Sequence, residues 1–354
     1  MTPPDANRMT PSSSGQQVAA TATPRPAGAN PASNAQVRQL IVTVGTTGTS
    51  LIEEVGRVIV GKKDQLKLVT LAIFTEGAHV LLEDLPGLGK SVLAAALARA
   101  SGCDFKRVQF TPDLLPSDIN GTFILNQRTH EFDFRPGPIF TNYLLADEIN
   151  RASPKTQSAM LEAMAEKQVT VEGYTQKLPK PFVVFATQNP IEQAGTYPLP
   201  EAQMDRFAMR LSMGYPTKDE EAEILIRRAK RGKDDFDVKS VTNAETIVAM
   251  QKAIENVYVS DELIHYIASI IDATRKHPQL VAGASPRGTQ NIFKLARGWA
   301  ALHGRDYVVP DDIKRLVIPV LAHRVILKPE PRIKGIKSEQ IIQGILDSVP
   351  VPKV

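Results

Sequence analysis

Lys90 and Ser91 close the run Leu81-Leu82-Glu83-Asp84-Leu85-Pro86-Gly87-Leu88-Gly89. Two glycines just ahead of a lysine and a hydroxyl give a loop whose backbone N–H groups can turn toward an anion. In such a loop the ammonium reaches the outer phosphates of a nucleotide and the hydroxyl ligates Mg2+. Asp84, Leu85, Pro86, Gly87, Leu88, Gly89, Lys90, Ser91 and Val92 are therefore the candidate phosphate-binding residues. ATP and Mg2+ are the cofactors they imply. The usual pattern opens on glycine, where this sequence has Asp84. Asp tolerates left-handed backbone angles better than most residues, so the turn is expected to survive.

Phosphoryl transfer needs further groups. Asp147 and Glu148 follow the apolar run Tyr143-Leu144-Leu145-Ala146. Asp147, at the carboxyl end of such a strand, suits an outer ligand of Mg2+, and Glu148 suits a group that polarises the attacking water. Asn189 follows a second apolar strand, Phe182 to Thr187, at a chain distance that would let it position that water. Charge building on the equatorial oxygens calls for a cation from a neighbouring subunit or domain. Arg206, in Met204-Asp205-Arg206-Phe207, and Arg287, in Ser285-Pro286-Arg287-Gly288, are candidates, with Arg151 near the strand-end acids as another. Spacing alone does not separate them from solvated arginines. Val60 and Gly61 sit between two stretches of helical spacing. They read as a helix–helix turn unless the phosphate loop recruits them as a wall for adenine.

The positioning elements follow from periodicity. Val80 to Leu82 reads as a buried strand and Val92 to Ala98 as a strong helix former, which puts the phosphate loop at a helix N-terminus. Phe105 to Phe110 alternates as a strand. Residues 121–125 and 130–134 form an expected hairpin, residues 169–172 and 176–178 a second one around Gly173. Ser153 to Glu166 is an expected helix, and Leu211 and Met213 belong to a last short strand. Apolar strands alternating with helices predict an α/β domain with a parallel sheet covered on both faces. After Tyr215-Pro216 the pattern becomes helical throughout. Thr217 with Glu220 and Thr242 with Glu245 read as capping boxes. Ser260 caps a helix with Leu263, Ile264, Ile267, Ile270 and Ile271 on one face, and Pro286 and Pro310 each open another. Ile341, Ile342, Ile345 and Leu346 suggest a terminal helix. The expected organisation is a disordered tail over 1–36, rich in Pro, Ser, Ala and Thr, an α/β domain over 37–213 and an all-helical domain over 214–350.

Composition narrows the class. The 354 residues carry a net charge of +4 and include one cysteine, Cys103, so neither a disulfide framework nor a thiolate metal site is available. The basic residues are dispersed, which permits nucleic-acid contact without arguing for it. No apolar run is long enough to span a membrane, and the N-terminus lacks the apolar core of a signal peptide. A cytoplasmic location is expected.

Five stretches together resemble the MoxR family of AAA+ ATPases, of the clade with an insert in helix 2: residues 81–91, 135–140, 144–157, 186–207 and 283–288. The resemblance runs from about Val37 to Val349 and implies an AAA+ P-loop NTPase domain followed by a helical lid. It makes Lys90 and Ser91 the Walker A pair, Asp147 and Glu148 the Walker B pair, and Asn189 the first sensor. Arg206 becomes the arginine finger acting on the next subunit's ATP, Arg287 the second sensor, and Val60-Gly61 the segment that packs on adenine. Asp84 in place of glycine is common in that family. The resemblance further implies a hexameric ring with both hairpins facing its pore. Its chaperone activity would mature, or insert metals into, partners with von Willebrand factor A domains.

Two other functions compete. A nucleic-acid motor needs a net basic tip, because phosphate neutralisation supplies most of the affinity; the first hairpin balances Arg128 and Arg135 with Glu131 and Asp133. A nucleotide switch that only controls assembly has no need of Glu148.

Overall fold

The computed structural model describes residues 35–190 and 195–353. Most of the expected tail lies outside these residues, and its last two already belong to the first helix, α1 (Ala35–Gly56). α1 is a single helix that starts well ahead of the spacing at Leu51–Val55. Its glycines permit close contact: a Cβ on Gly48 would lie 2.4 Å from the Leu302 side chain.

After α2 (Lys63–Phe74) the chain alternates. β1 (Val80–Glu83) runs into α3 (Lys90–Ser101) and then β2 (Phe105–Gln109). The short α4 (Pro116–Asn120) leads into the hairpin β3 (Gly121–Asn126) and β4 (Glu131–Pro136). β5 (Tyr143–Asp147) and α5 (Pro154–Glu166) precede a second hairpin, β6 (Gln168–Val171) and β7 (Tyr174–Lys177). β8 (Val183–Gln188), a four-residue helix α6 (Glu201–Met204) and β9 (Met209–Leu211) complete this part. Five strands pair in parallel in the order β2-β5-β8-β1-β9.

The central strands are apolar up to their polar carboxyl ends because both faces are covered. Val80, Leu82, Tyr143, Leu145, Val183 and Phe185 pack into a core with α1, α2, α3 and the later helices. Their strand neighbours Leu81, Leu144, Ala146, Val184 and Ala186 face the other way, onto α5. All four parallel pairings point the carboxyl ends of β1, β5 and β8 to one edge, the usual place for a ligand crevice in such sheets.

The remainder is α7 (Lys218–Arg231), α8 (Ala244–Ile254), α9 (Asp261–Lys276), α10 (Pro286–Leu302), α11 (Pro310–Leu321), the short α12 (Pro329–Ile333) and α13 (Ser338–Ser348). One small antiparallel ladder, β10 (Leu280–Ala282) with β11 (Ile326–Leu327), joins them. The capping box at Thr217 and Glu220 is present, as are the Ser260 cap and proline at the first turns of α10 and α11. The box at Thr242 and Glu245 is not: Asn243 caps α8, its Oδ1 accepting the Thr246 N–H at 2.8 Å. Asx side chains cap at least as well as threonine, and the helix simply starts one residue later.

Candidate active site

β1 ends, the chain turns through Gly87 (φ 83°) and Gly89 (φ 77°), and α3 begins at Lys90. Both glycines hold left-handed angles, which accounts for glycine at these two places. Asp84 does not, which corrects the expectation built on its tolerance of such angles. Its role is carried by its carboxylate, which is buried and accepts hydrogen bonds from Ser212 Oγ at 2.6 Å, Met213 N at 2.5 Å and Gly214 N at 3.3 Å. The phosphate loop is thereby tied to the segment where the chain leaves β9 for the helical part.

The loop bounds a cleft of about 370 Å³ at the carboxyl edge of the sheet. Pro86 to Val92 form one wall; Asp147, Glu148, Thr187 and Asn189 come from the ends of β5 and β8; Arg107 and Gln109 come from β2. Lys90 Nζ donates to the carbonyls of Asp84 at 2.6 Å and Leu85 at 3.0 Å. Burial pulls its pKa below the ordinary lysine value, and the carboxylates of Asp84, Asp147 and Glu148 partly oppose that.

The two acids differ in surroundings. Asp147 is buried; its Oδ1 accepts the Thr187 hydroxyl at 2.6 Å, and its Oδ2 accepts Arg107 Nε at 3.0 Å and Nη2 at 2.6 Å. Glu148 has a left-handed backbone (φ 55°) and donates its N–H to Thr187 Oγ1 at 2.8 Å. A non-glycine residue held there is strained by roughly 1–3 kcal/mol and persists because its surroundings fix it. That turn aims the Glu148 carboxylate into the cleft, where Oε2 accepts Gln109 Nε2 at 2.8 Å and Arg151 Nη1 at 3.0 Å.

Arg107, Gln109 and Thr187 were not among the sequence candidates. For Arg107 and Gln109 the signal was the alternation of β2, which puts both on one side of a strand in register with β5, Gln109 opposite Asp147; Thr187 is the polar residue that ends the apolar run of β8. Seven of the candidates lie outside the cleft lining: Asp84 and Leu85 at the base of the loop, and Val60, Gly61, Arg151, Arg206 and Arg287. Gly61 packs against Glu220 at the start of α7, where an added Cβ would meet Glu220 Oε1 at 1.8 Å, and Val60 precedes it. Arg206 follows α6, and Arg287, in the first turn of α10, has Nη1 3.7 Å from Asp205 Oδ2. Arg151 Nη1 bonds Glu148 Oε2 at 3.0 Å from outside the lining. Within one chain the structure therefore gathers the phosphate loop, Asp147, Glu148 and Asn189, and keeps Arg206 and Arg287 together elsewhere.

Comparison with known proteins matches residues 79–209 to the family described as ATPase family associated with various cellular activities (AAA), and residues 272–345 to the AAA lid domain. The chain is 42% identical over 312 residues to the chaperone MoxR1 of Mycobacterium tuberculosis, covering 86% of this chain and 82% of that one. It is 50% identical over 301 residues to the uncharacterized protein YeaC of Bacillus subtilis, covering 85% and 93%. This chain belongs to the MoxR family of AAA+ ATPases. A crystal structure of a Cytophaga hutchinsonii protein, 41% identical, superposes with a TM-score of 0.83 over 90% of this chain and 98% of that one. The α/β ATPase part followed by a helical lid is thus the family's arrangement, and among the described residues no helix is long and apolar enough to cross a membrane.

Proposed function

We propose that the protein hydrolyses ATP in this cleft and, as a ring of copies, uses the energy to remodel protein partners. The observation that carries the reading is the convergence of Lys90, Ser91, Asp147, Glu148 and Asn189 on one cleft at a helix N-terminus. The donor set fits ATP with Mg2+: one hydroxyl, Ser91, and one carboxylate, Asp147, leave the remaining positions to phosphate oxygens and water. When bound, Mg2+ neutralises charge on the β- and γ-phosphates. Backbone N–H groups of Gly87 to Lys90 and the Lys90 ammonium hold the phosphate chain. Glu148, oriented by Gln109 and Thr187, takes the proton of the attacking water, and Asn189 orients that water.

Arg206 and Arg287 lie away from their own chain's cleft, so in this reading they serve the cleft of a neighbouring copy. Protein rather than nucleic acid is the favoured partner. The first hairpin exposes Leu125 and Phe132 on the face that carries Phe123, and the Phe123 contact with the exposed Tyr174 of the second hairpin at 5.1 Å joins the two into one apolar surface, while Ile124 is exposed on the opposite face. Arg128 and Arg135 on the first hairpin are matched by Glu131 and Asp133. Von Willebrand factor A domain proteins, with metal insertion as one outcome, are the partners we expect, and the cytoplasm the location.

The test is steady-state hydrolysis against protein concentration. Glu148→Gln should bind ATP but lose at least about 10²-fold in kcat. Arg206→Ala should be as inactive, and mixing it with Glu148→Gln should restore turnover. A purified von Willebrand factor A domain should raise the rate where duplex DNA does not. Activity independent of concentration with Arg206→Ala silent would defeat the shared site, and stimulation by DNA alone would defeat the protein partner.

A further inference from the structure

Arg324 comes three residues after α11, and its side chain has no exposed surface. Most of its bonds go to the segment that carries Arg206, with the neighbouring His323 Nε2 2.8 Å from Nη1. Nε donates to Asp205 Oδ1 at 2.9 Å. Nη2 donates to the main-chain carbonyls of Asp205 at 3.1 Å and Phe207 at 2.5 Å, and Nη1 to that of Ala208 at 3.2 Å. Nη1 also bonds the Val320 carbonyl of α11, which fixes the guanidinium to the lid. Arg206 is bracketed by these acceptors on both sides.

Other anchors hold the ends of the segment, with the Ala208 N–H on the His79 carbonyl at 2.8 Å and His323 Nε2 3.2 Å from the Phe207 carbonyl, but neither of them reaches Arg206. α6 spans four residues and buries none of them, and the Arg206 N–H reaches only back to the Gln203 carbonyl. Phe207 is buried and anchors one side. Asp205 also accepts the Ser285 hydroxyl at 2.9 and 3.0 Å, and it is the carboxylate beside Arg287. Arg206 and Arg287 are thus both referenced to one node, and the lid supplies its cation. Only a guanidinium can do this, because five N–H donors in a rigid fork are needed to reach a carboxylate and several carbonyls at once.

We propose that Arg324 is the positioning residue for Arg206: it transmits the placement of the lid to the arginine that completes a neighbouring copy's ATP site. Removing it leaves the chain's own cleft intact and disables only what the chain offers its neighbour. The proposal rests on the reading of Arg206 given above.

Arg324→Lys in the full chain tests it, since lysine keeps the charge opposite Asp205 but cannot span the acceptors. Displacement of a catalytic group by an ångström costs on the order of 10²-fold, so kcat should fall roughly 10–100-fold with KM for ATP unchanged. Mixing with Glu148→Gln subunits, whose Arg206 is correctly held, should restore turnover. Mixing with Arg206→Ala should not. Loss that no partner rescues marks general damage and overturns the proposal, as does wild-type kcat in Arg324→Lys when Arg206→Ala is inactive. Should Arg324→Lys not fold, Asp205→Asn, which keeps the shape and removes the carboxylate charge, must give the same mixing pattern. Full activity in Arg206→Ala would instead bring down the role of Arg206 itself.

Discussion

Asp84→Gly restores the usual first residue of a phosphate loop, and the structure predicts that it harms the protein. The Asp84 carboxylate accepts from Ser212 Oγ, Met213 N and Gly214 N. Ser212 is exposed, so its hydroxyl turns to water at little cost; Gly214 is half-buried; Met213 is buried and its N–H is left without a partner. An unsatisfied buried donor costs about 1–3 kcal/mol, and a hydrogen bond to a charged group is worth about 1.5–3 kcal/mol. Glycine adds about 0.5–1 kcal/mol of backbone freedom to the unfolded chain. Allowing for partial resolvation, the loss is about 3 kcal/mol, dominated by Met213. Unfolding entropy of about 2.1 cal/mol/K per residue converts that into a fall in Tm of about 4 °C for a chain of 354 residues. Asp84→Asn keeps an acceptor for Met213 and should lose about 1 kcal/mol. Calorimetry of the three proteins separates the possibilities. Were Asp84 present for its tolerance of left-handed angles, glycine would relieve strain and raise Tm. A variant that melts at or above wild type refutes the clamp.

Asn243→Ala should cost about 1 kcal/mol as a lost helix cap, while Thr242→Ala should change stability by less than half of that; equal effects on denaturation would contradict the observed start of α8. His79 is buried, donating through Nε2 to the Met164 carbonyl and accepting Val184 N–H on Nδ1. Burial is the main cause that lowers its pKa from 6.5 to about 4. Its unfolded form binds a proton below pH 6.5 and its folded form only near pH 4, so stability falls as pH drops through that window and is unaffected by this group above it. At pH 5 the loss is about 2 kcal/mol. His323 is buried and shifted in the same direction, so the test is a difference: His79→Gln should flatten the decline between pH 6.5 and 5 by that amount, and an unchanged slope would exclude His79 as its source.

Much of the sheet was legible because each strand's pattern is decided locally. Continuous apolar runs at 80–82, 143–146 and 182–186 are short enough to read as strands covered on both faces, while the order in which they pair was not legible. α1 was less legible, since only its end at Leu51–Val55 showed helical spacing and two glycines precede it. They are helical because tertiary contact pays no penalty there: Gly48 lies against Leu302 of α10, and Gly45 lies 3.1 Å, by its would-be Cβ, from the Gly304 backbone. A partner more than 250 residues away along the chain outweighs a helix penalty of about 1 kcal/mol for each glycine.

The site divides along the same line. The phosphate loop, Asp147 and Glu148 announce themselves because their chemistry is a matter of chain neighbours. Arg107 and Gln109 do not, since what makes them part of the site is the register of β2 against β5 rather than anything in the sequence around them. The consequence reaches further than recognition. Glu148 is held on one side by Thr187 from β8 and on the other by Gln109 from β2, so it bridges the two strands that flank its own. Any shift of β2 relative to β5 must move Gln109 and, with it, the carboxylate. The same reasoning applies at Arg324, whose carboxylate partner and three of whose carbonyl partners lie 116 to 119 positions earlier. In both places the functional residue carries the recognisable motif, while the residue that aims it comes from another element and is visible only in the folded chain.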